Sequence, residues 1–129
     1  MKLLIDTHVF IWLINGHKGV GSKAYDLVTD PDNDVCISYL SLFEVVIKAQ
    51  TGRATFSSEI IDRLAEVDVT ALPLDHGLLH SYHIIDARNK DPFDNAIIAT
   101  AIQHDLTLVT SDSKILACQM GIGMVDARL

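Results

Sequence analysis

Apolar and polar residues alternate along the chain with two periods, and each period predicts a different kind of element. Short apolar runs between polar residues are typical of strands that are buried on both faces, as in a parallel sheet. Five such runs predict strands: KLLI (2–5), DVCIS (34–38), VTALPL (69–74), LTLVT (106–110) and GMVD (123–126).

Between these runs, apolar residues recur every three or four positions, which predicts amphipathic helices. The predicted helices are HVFIWLI (8–14), KAYDLVT (23–29), LSLFEVVIKAQ (40–50), SEIIDRLAEV (58–67), HGLLHSYHI (76–84), DPFDNAIIATAIQH (91–104) and SKILACQ (113–119). Ser22 is the predicted N-cap of the second helix. Asp91 and Pro92 fit the N-cap and the first helical position of the sixth, which has the strongest start signal of the seven.

Short strands that alternate with helices predict an α/β fold, a three-layer α/β/α sandwich with a mostly parallel central sheet. A length of 129 residues fits a single domain, residues 1–129, with a core that needs no covalent crosslinks. Cys36 and Cys118 form no CxxC pair, and we expect both to be reduced. No segment is long enough to span a bilayer, and Asp6 and His8 interrupt the N-terminal apolar run, so we expect a cytoplasmic protein.

An acidic residue, Asp6, lies inside the first apolar run, where an unpartnered carboxylate is costly to bury. In open parallel sheets, ligands bind outside the carboxyl ends of the strands, and Asp6 directly follows KLLI. Asp112 repeats the arrangement just after LTLVT. We therefore expect both aspartates at the same edge of the sheet.

Two further acids lie on helices. Asp94 shares a helix face with Ile97 and Ile98, which favours an inward position, although an acid this close to a helix start also complements the helix dipole. Asp91 is interpreted as a cap alone. Glu44 lies in a helix that is apolar on nearly every side, and a salt bridge to Lys48, four residues on, is its alternative explanation.

Four carboxylates that meet at one edge repel each other unless some of them are protonated or a cation neutralises them. Oxygen-only ligands favour Mg²⁺ or Mn²⁺ over zinc. Such an ion is the usual equipment for phosphoryl chemistry. The chain has no GxxxxGK[ST] loop and no evident Ser-His-Asp or Cys-His arrangement.

Four segments, in this order, resemble the four motif regions of PIN-domain ribonucleases, in particular the VapC toxins of bacterial type II toxin–antitoxin modules. They are LLIDTHVFIWLI (3–14), ISYLSLFEVVIKAQTGR (37–53), NKDPFDNAIIATA (89–101) and LTLVTSD (106–112). The resemblance covers nearly the whole chain. It implies a PIN-like α/β/α fold and hydrolysis of single-stranded RNA with Mg²⁺ or Mn²⁺.

The resemblance also implies roles for individual residues. The family's acids correspond to Asp6, Glu44, Asp94 and Asp112, with Asp6 and Asp94 as principal metal ligands and the other two completing the pocket, partly through water. Thr7 and either Thr110 or Ser111 would orient the ligands or a phosphate. RNA contact would fall to basic residues: Lys48, Arg53 and Lys90, with Arg88 and Lys114 as further candidates. Asn95 and Asn89 stand where many relatives carry a basic residue and a histidine.

The implied partners are an RNA substrate, a VapB-like antitoxin that covers the acidic site, and a second copy of the chain in a homodimer. A net charge of −7 is consistent with an acidic pocket that attracts a basic antitoxin residue. The same charge argues against a broad electrostatic surface for nucleic acid.

Two other functions remain open at this point. A haloacid-dehalogenase-like phosphatase also places an aspartate after its first strand, but it has a second acid where this chain has His8. A PIN-like module that binds RNA without cleaving it is the non-enzymatic alternative. His76, His80 and His83 have helical spacing, and we interpret them as an exposed helix face; we assign His8 and Trp12 to packing.

Overall fold

Five strands form one parallel sheet in the order β3-β2-β1-β4-β5. The computed structural model describes residues 1–16, 19–52, 62–64, 66–85, 91–118 and 121–129. The strands are β1 (Lys2–Ile5), β2 (Asp34–Ser38), β3 (Thr70–Leu72), β4 (Thr107–Thr110) and β5 (Met124–Asp126). All five predicted strands are confirmed, and the third is shorter than the apolar run that predicted it.

The helices lie between the strands, as predicted. They are α1 (Thr7–Ile14), α2 (Ser22–Thr29), α3 (Tyr39–Gln50), α4 (His76–Ile84), α5 (Pro92–His104) and α6 (Ser113–Leu116). Five of the ten residues of the helix predicted over 58–67, namely 58–61 and 65, lie outside the described residues. Of the other five, Asp62 and Arg63 are helical. The prediction that Ser22 caps α2 is wrong, because Ser22 is the first helical residue and Gly21 is the N-cap. A side chain at position 21 would collide with the backbone of Leu129, which explains a glycine there.

Helices cover both faces of the sheet, so the predicted three-layer sandwich is confirmed. Alternate residues of β1 point to opposite faces: Leu3 and Ile5 pack with α1, α2 and α3, while Leu4 packs with α5 and α6. Burial on both faces explains why the strands read as continuous apolar runs. A third cluster, around Leu78 and Ala99, packs α4 onto α5.

The chain reverses its winding direction at β1, which lies between β2 and β4. It winds outward through β2 to β3, then crosses to β4 and continues outward to β5. In a sheet of this kind, the crevice beside the reversal point, outside the carboxyl ends of the strands, is where ligands bind. Asp6 follows β1 there and Asp112 follows β4 by two residues.

Both cysteines are free thiols. None of the helices in the described part of the chain combines the length and apolarity needed to cross a bilayer.

Candidate active site

A small cavity of about 80 Å³ opens at the carboxyl edge of the sheet, between β1, α3, α5 and α6. Its walls are formed by Asp6, Thr7, His8, Glu44, Lys48, Asp91, Asp94, Ile97, Asp112 and Ile115. We call it the acidic cavity. It brings together all four carboxylates that the sequence singled out, although they come from four separate elements or their boundaries.

Asp6 forms the floor of the acidic cavity and is the most deeply buried of its acids, with 3% of its surface exposed. One carboxylate oxygen accepts a hydrogen bond from the main-chain N–H of Val9 at 2.9 Å, so Asp6 is the N-cap of α1. The other oxygen accepts a hydrogen bond from the Thr110 hydroxyl, which is itself fully buried. These two bonds fix the carboxylate in place.

Burial raises the pKa of Asp6 above the usual value for an aspartate. The hydrogen bonds from Thr110 and from the main chain of Val9 act in the opposite direction, as do the positive field of His8 and the Ser111 main chain, but burial outweighs them. A carboxyl group in this state is stabilised by a nearby cation. A metal ion beside Asp6 would therefore stabilise the ionised form of this buried carboxylate.

Thr110 links Asp6 to the second aspartate of the carboxyl edge. Its hydroxyl donates to Asp6 and accepts from the main-chain N–H of Asp112 at 3.1 Å. The Asp112 carboxylate in turn accepts from the main-chain N–H of Lys114 at 2.8 Å and caps α6. A single buried hydroxyl thus bridges the two aspartates that follow the paired ends of β1 and β4.

Asp94 and Asp91 enter the acidic cavity from the start of α5. Asp94 is buried, with 9% of its surface exposed, which confirms the predicted inward position. Asp91 caps α5 through a 2.9 Å bond from the main-chain N–H of Phe93, as predicted. Asp91 also borders the acidic cavity, which its interpretation as a cap did not anticipate.

Glu44 reaches the acidic cavity from α3, and its two oxygens have different partners. One accepts a hydrogen bond from the Thr7 hydroxyl at 3.2 Å. The other lies 3.6 Å from the ammonium nitrogen of Lys48, so the predicted salt bridge exists. The salt bridge and a place in the acidic cavity were alternative explanations for Glu44, and the structure contains both.

The remaining candidates are not at this site or cannot be placed. Lys114 is exposed on α6 and does not line the acidic cavity. Arg53, Arg88 and Lys90 lie outside the described residues, as does Asn89. His76, His80 and His83 are exposed on α4, as interpreted from their spacing.

One residue of the acidic cavity was missed. His8 is exposed and lines the cavity mouth, with its ring centroid 6.4 Å from that of Trp12, so packing alone does not account for it. Its position directly after Asp6 and Thr7 was a usable signal. Residues in the first turn of a helix that begins at a ligand-binding edge lie close to that edge.

Among the described residues, the possible metal donors of the acidic cavity are five carboxylates, one threonine hydroxyl and one imidazole, with no cysteine. This predominance of oxygen suits a hard divalent cation. In their present orientations, no three histidine, cysteine, aspartate or glutamate side chains of the described segments are close enough to hold one ion together. The carboxylates fit Mg²⁺ or Mn²⁺ in chemistry, and holding one ion jointly would require them to move toward each other.

The family model of the PIN domain matches residues 3–118 of the chain. No curated protein matches it. The family match favours the nuclease family over the haloacid-dehalogenase-like alternative.

Solved structures match over almost the full length. A chain of VapBC-1 from nontypeable Haemophilus influenzae is 18% identical, with 100% of each chain covered and a TM-score of 0.72. A chain of DNA-bound VapBC from Salmonella typhimurium is 22% identical, with 97% of each covered and a TM-score of 0.67. A chain of a toxin-antitoxin complex from Klebsiella pneumoniae is 25% identical, with 95% of each covered and a TM-score of 0.65. The PIN-like fold is confirmed.

Proposed function

Because the chain belongs to the PIN domain family, we propose that it is a Mg²⁺- or Mn²⁺-dependent endoribonuclease, the VapC-like toxin of a type II toxin–antitoxin pair. The observation that carries the proposal is that Asp6, Glu44, Asp94 and Asp112 line one small cavity at the carboxyl edge of the sheet. These carboxylates come from separate elements, and burial raises the pKa of one of them, Asp6. A divalent ion bound between them would explain why they share a cavity.

In this proposal, Asp6 and Asp94 are the principal metal ligands, and Asp112 and Glu44 complete the site. When bound, the ion supplies a polarised phosphate oxygen and a water of lowered pKa. Two threonine hydroxyls of the chain hold the carboxylates in place. Thr110 holds the Asp6 carboxylate and the start of α6, and Thr7 holds Glu44.

The substrate is single-stranded RNA. Lys48 lines the acidic cavity, which supports a contact between its ammonium group and a phosphate beside the reacting bond. We retain Arg53 and Lys90 as candidate RNA contacts that flank the site in sequence. Because the chain carries a net charge of −7, we expect a small local set of cations to hold RNA, in place of a broad basic surface.

The proposed partners follow the structural neighbours. The 25% identical chain comes from a toxin-antitoxin complex, and the VapBC-1 chain matches from end to end. These likenesses support a VapB-like antitoxin, whose basic residue would enter the acidic cavity and displace the ion. We also propose that residues 1–129 form one PIN domain, that it assembles as a homodimer, and that it acts in the cytoplasm, where RNA and antitoxin are found.

The test is cleavage of a mixture of single-stranded RNAs by the purified protein. We expect cleavage with Mg²⁺ or Mn²⁺, none with EDTA, and none by the Asp6→Asn variant, whose folding is checked by circular dichroism. Cleavage that persists in EDTA or in the folded Asp6→Asn variant would eliminate the metal-dependent mechanism.

One observation favours the non-catalytic alternative. The acids of the described segments are not yet arranged to hold an ion. If the protein retains RNA on a filter but leaves it intact with every divalent ion tried, it is an RNA-binding module.

A further inference from the structure

We propose that Lys48 is a resident cation of the acidic cavity: it neutralises Glu44, keeps that carboxylate from the divalent ion, and offers its ammonium group to the RNA phosphate. This inference rests on the proposed function, and it changes the role of one of the four acids. Glu44 becomes the residue that positions Lys48, and direct contact with the ion falls to Asp6, Asp94 and Asp112.

Each carboxylate oxygen of Glu44 already has a partner. Its two oxygens are engaged by the Thr7 hydroxyl at 3.2 Å and by the Lys48 ammonium at 3.6 Å. The Thr7 hydroxyl lies between α1 and α3, since it also contacts the main-chain oxygen of Ser41 at 3.4 Å. A divalent ion bound directly by Glu44 would share a carboxylate oxygen with one of these partners and would lie close to the Lys48 ammonium, which repels it.

The surroundings of Lys48 distinguish this pair from an ordinary helix salt bridge. Exposed pairs four residues apart contribute little, because water screens them. Here the side chains are only 34% and 15% exposed, and both line a cavity that contains four further carboxylates. Lys48 is the one lysine or arginine among the described residues that lines this cavity. Its charge therefore acts on the whole acidic cluster as well as on Glu44.

The ammonium group of Lys48 can contact a phosphate oxygen in addition to Glu44. Lysine carries three N–H donors on a flexible stem, so it can face Glu44 and a phosphate oxygen at the same time. The cavity would then have two halves: carboxylates that take a divalent ion, and a fixed monovalent cation beside them. Both halves place positive charge where a phosphodiester gains negative charge during hydrolysis.

The experiment is a double-mutant cycle on Mn²⁺ affinity, measured by calorimetry or electron paramagnetic resonance. We expect Glu44→Gln to weaken binding roughly tenfold, because an unpaired ammonium then repels the ion, and Lys48→Met to strengthen it by a similar factor. The double variant should return to within about threefold of the wild type, because it removes one charge of each sign. Lys23→Met, at an exposed position on α2, is the matched control and should change nothing.

RNA cleavage gives the second readout. Although the double variant binds Mn²⁺ normally, it should cleave about tenfold to a hundredfold more slowly than the wild type, the range for loss of a hydrogen bond between charged groups. Lys48→Arg should cleave faster than Lys48→Met, since it restores the charge.

The outcomes separate the two proposals. If Mn²⁺ binds the wild type but the double variant stays as weak as Glu44→Gln, Glu44 is a direct ligand and the inference about Lys48 is overturned, while the nuclease proposal survives. Full cleavage activity in the double variant also overturns it. If the wild type binds no Mn²⁺ at all, the proposed function falls and the role of Lys48 falls with it.

Discussion

The two edges of the sheet each carry a cavity with charged residues, but the two cavities differ in size and in charge. At the amino edge, a cavity of about 320 Å³ is lined by residues that include Lys2, Asp34, Asp68 and His104. At the carboxyl edge, the acidic cavity is about a quarter of that volume, and the described residues that line it include five acids and one lysine. At the first edge a lysine partly offsets two aspartates, whereas at the second edge like charges accumulate.

Helix direction explains the difference. In this sheet the helix N-termini gather at the carboxyl edge, and three acids of the acidic cavity cap them: Asp6 on α1, Asp91 on α5 and Asp112 on α6. A helix N-terminus carries partial positive charge, so carboxylates are favoured there. The C-terminus of α5, at His104, lies at the amino edge. The larger cavity, at the amino edge, is therefore the poorer candidate for a divalent-cation site. The sign of the charges and their burial decide whether a cavity can bind such an ion, and its volume matters less.

The largest effect should come from neutralising an acid of the acidic cavity and comparing it with one at the other edge. Asp94→Asn should lower RNA cleavage by about a thousandfold or more, because it removes a metal ligand that supports several kcal/mol of charge stabilisation. Asp34→Asn, exposed at the amino edge, should stay within about twofold of the wild type. Equal losses in both variants would remove the distinction between the edges. Cleavage rates under single-turnover conditions provide the measurement.

A smaller effect should come from the hydroxyl that links the two strand ends. Thr110→Val leaves an Asp6 oxygen and the Asp112 main-chain N–H without this partner, which should cost about 1–3 kcal/mol of unfolding free energy. Cleavage should fall about tenfold to a hundredfold, as for residues that orient metal ligands. Urea denaturation and cleavage rates measure the two effects.

Thr100→Val is the matched control for Thr110→Val. Thr100 is also buried, but its hydroxyl donates to the main-chain oxygen of Ala96 in its own helix. We expect wild-type cleavage and a smaller change in stability. If Thr100→Val slows cleavage as much as Thr110→Val does, the loss reflects general damage to the core.

The smallest effect concerns the stability of the metal-free protein. Because the folded-state pKa of Asp6 is raised, folding is favoured at low pH, and this stability is lost as pH rises through the raised pKa. Asparagine cannot ionise, so Asp6→Asn in EDTA should be more stable than the wild type, on the order of 1 kcal/mol. The difference should grow with pH. Urea titrations at several pH values test this, and a difference that shrinks as pH rises would contradict it.

Much of the fold could be predicted from local sequence. The apolar runs of the strands are buried on both faces, and the start of α5 at Asp91 and Pro92 follows from side-chain chemistry that acts within one helical turn. The cap of α2 was predicted one residue too late. Gly21 has no capping side chain, and what requires it is contact with Leu129, a residue far away in sequence.

The acidic residues of the site could be predicted from the sequence, but their hydrogen-bond partners could not. Asp6 and Asp112 follow strands, and Asp94 lies on an apolar helix face, so each could be assigned to the carboxyl edge from its own neighbours. The bond between Thr7 and Glu44 spans 37 residues, and the bond between Thr110 and Asp6 spans 104. The apolar pattern of the sequence does not indicate which hydroxyl will bond to which carboxylate over such separations, because only the folded chain brings these residues together.

The most direct test of the shared metal site is a crystal structure of the protein grown with Mn²⁺, with data collected at the manganese absorption edge. The account predicts an anomalous peak inside the acidic cavity, coordinated by the carboxylates of Asp6 and Asp94. A cavity without that peak at saturating Mn²⁺, or a peak only at the amino edge near Asp34 and Asp68, would contradict it.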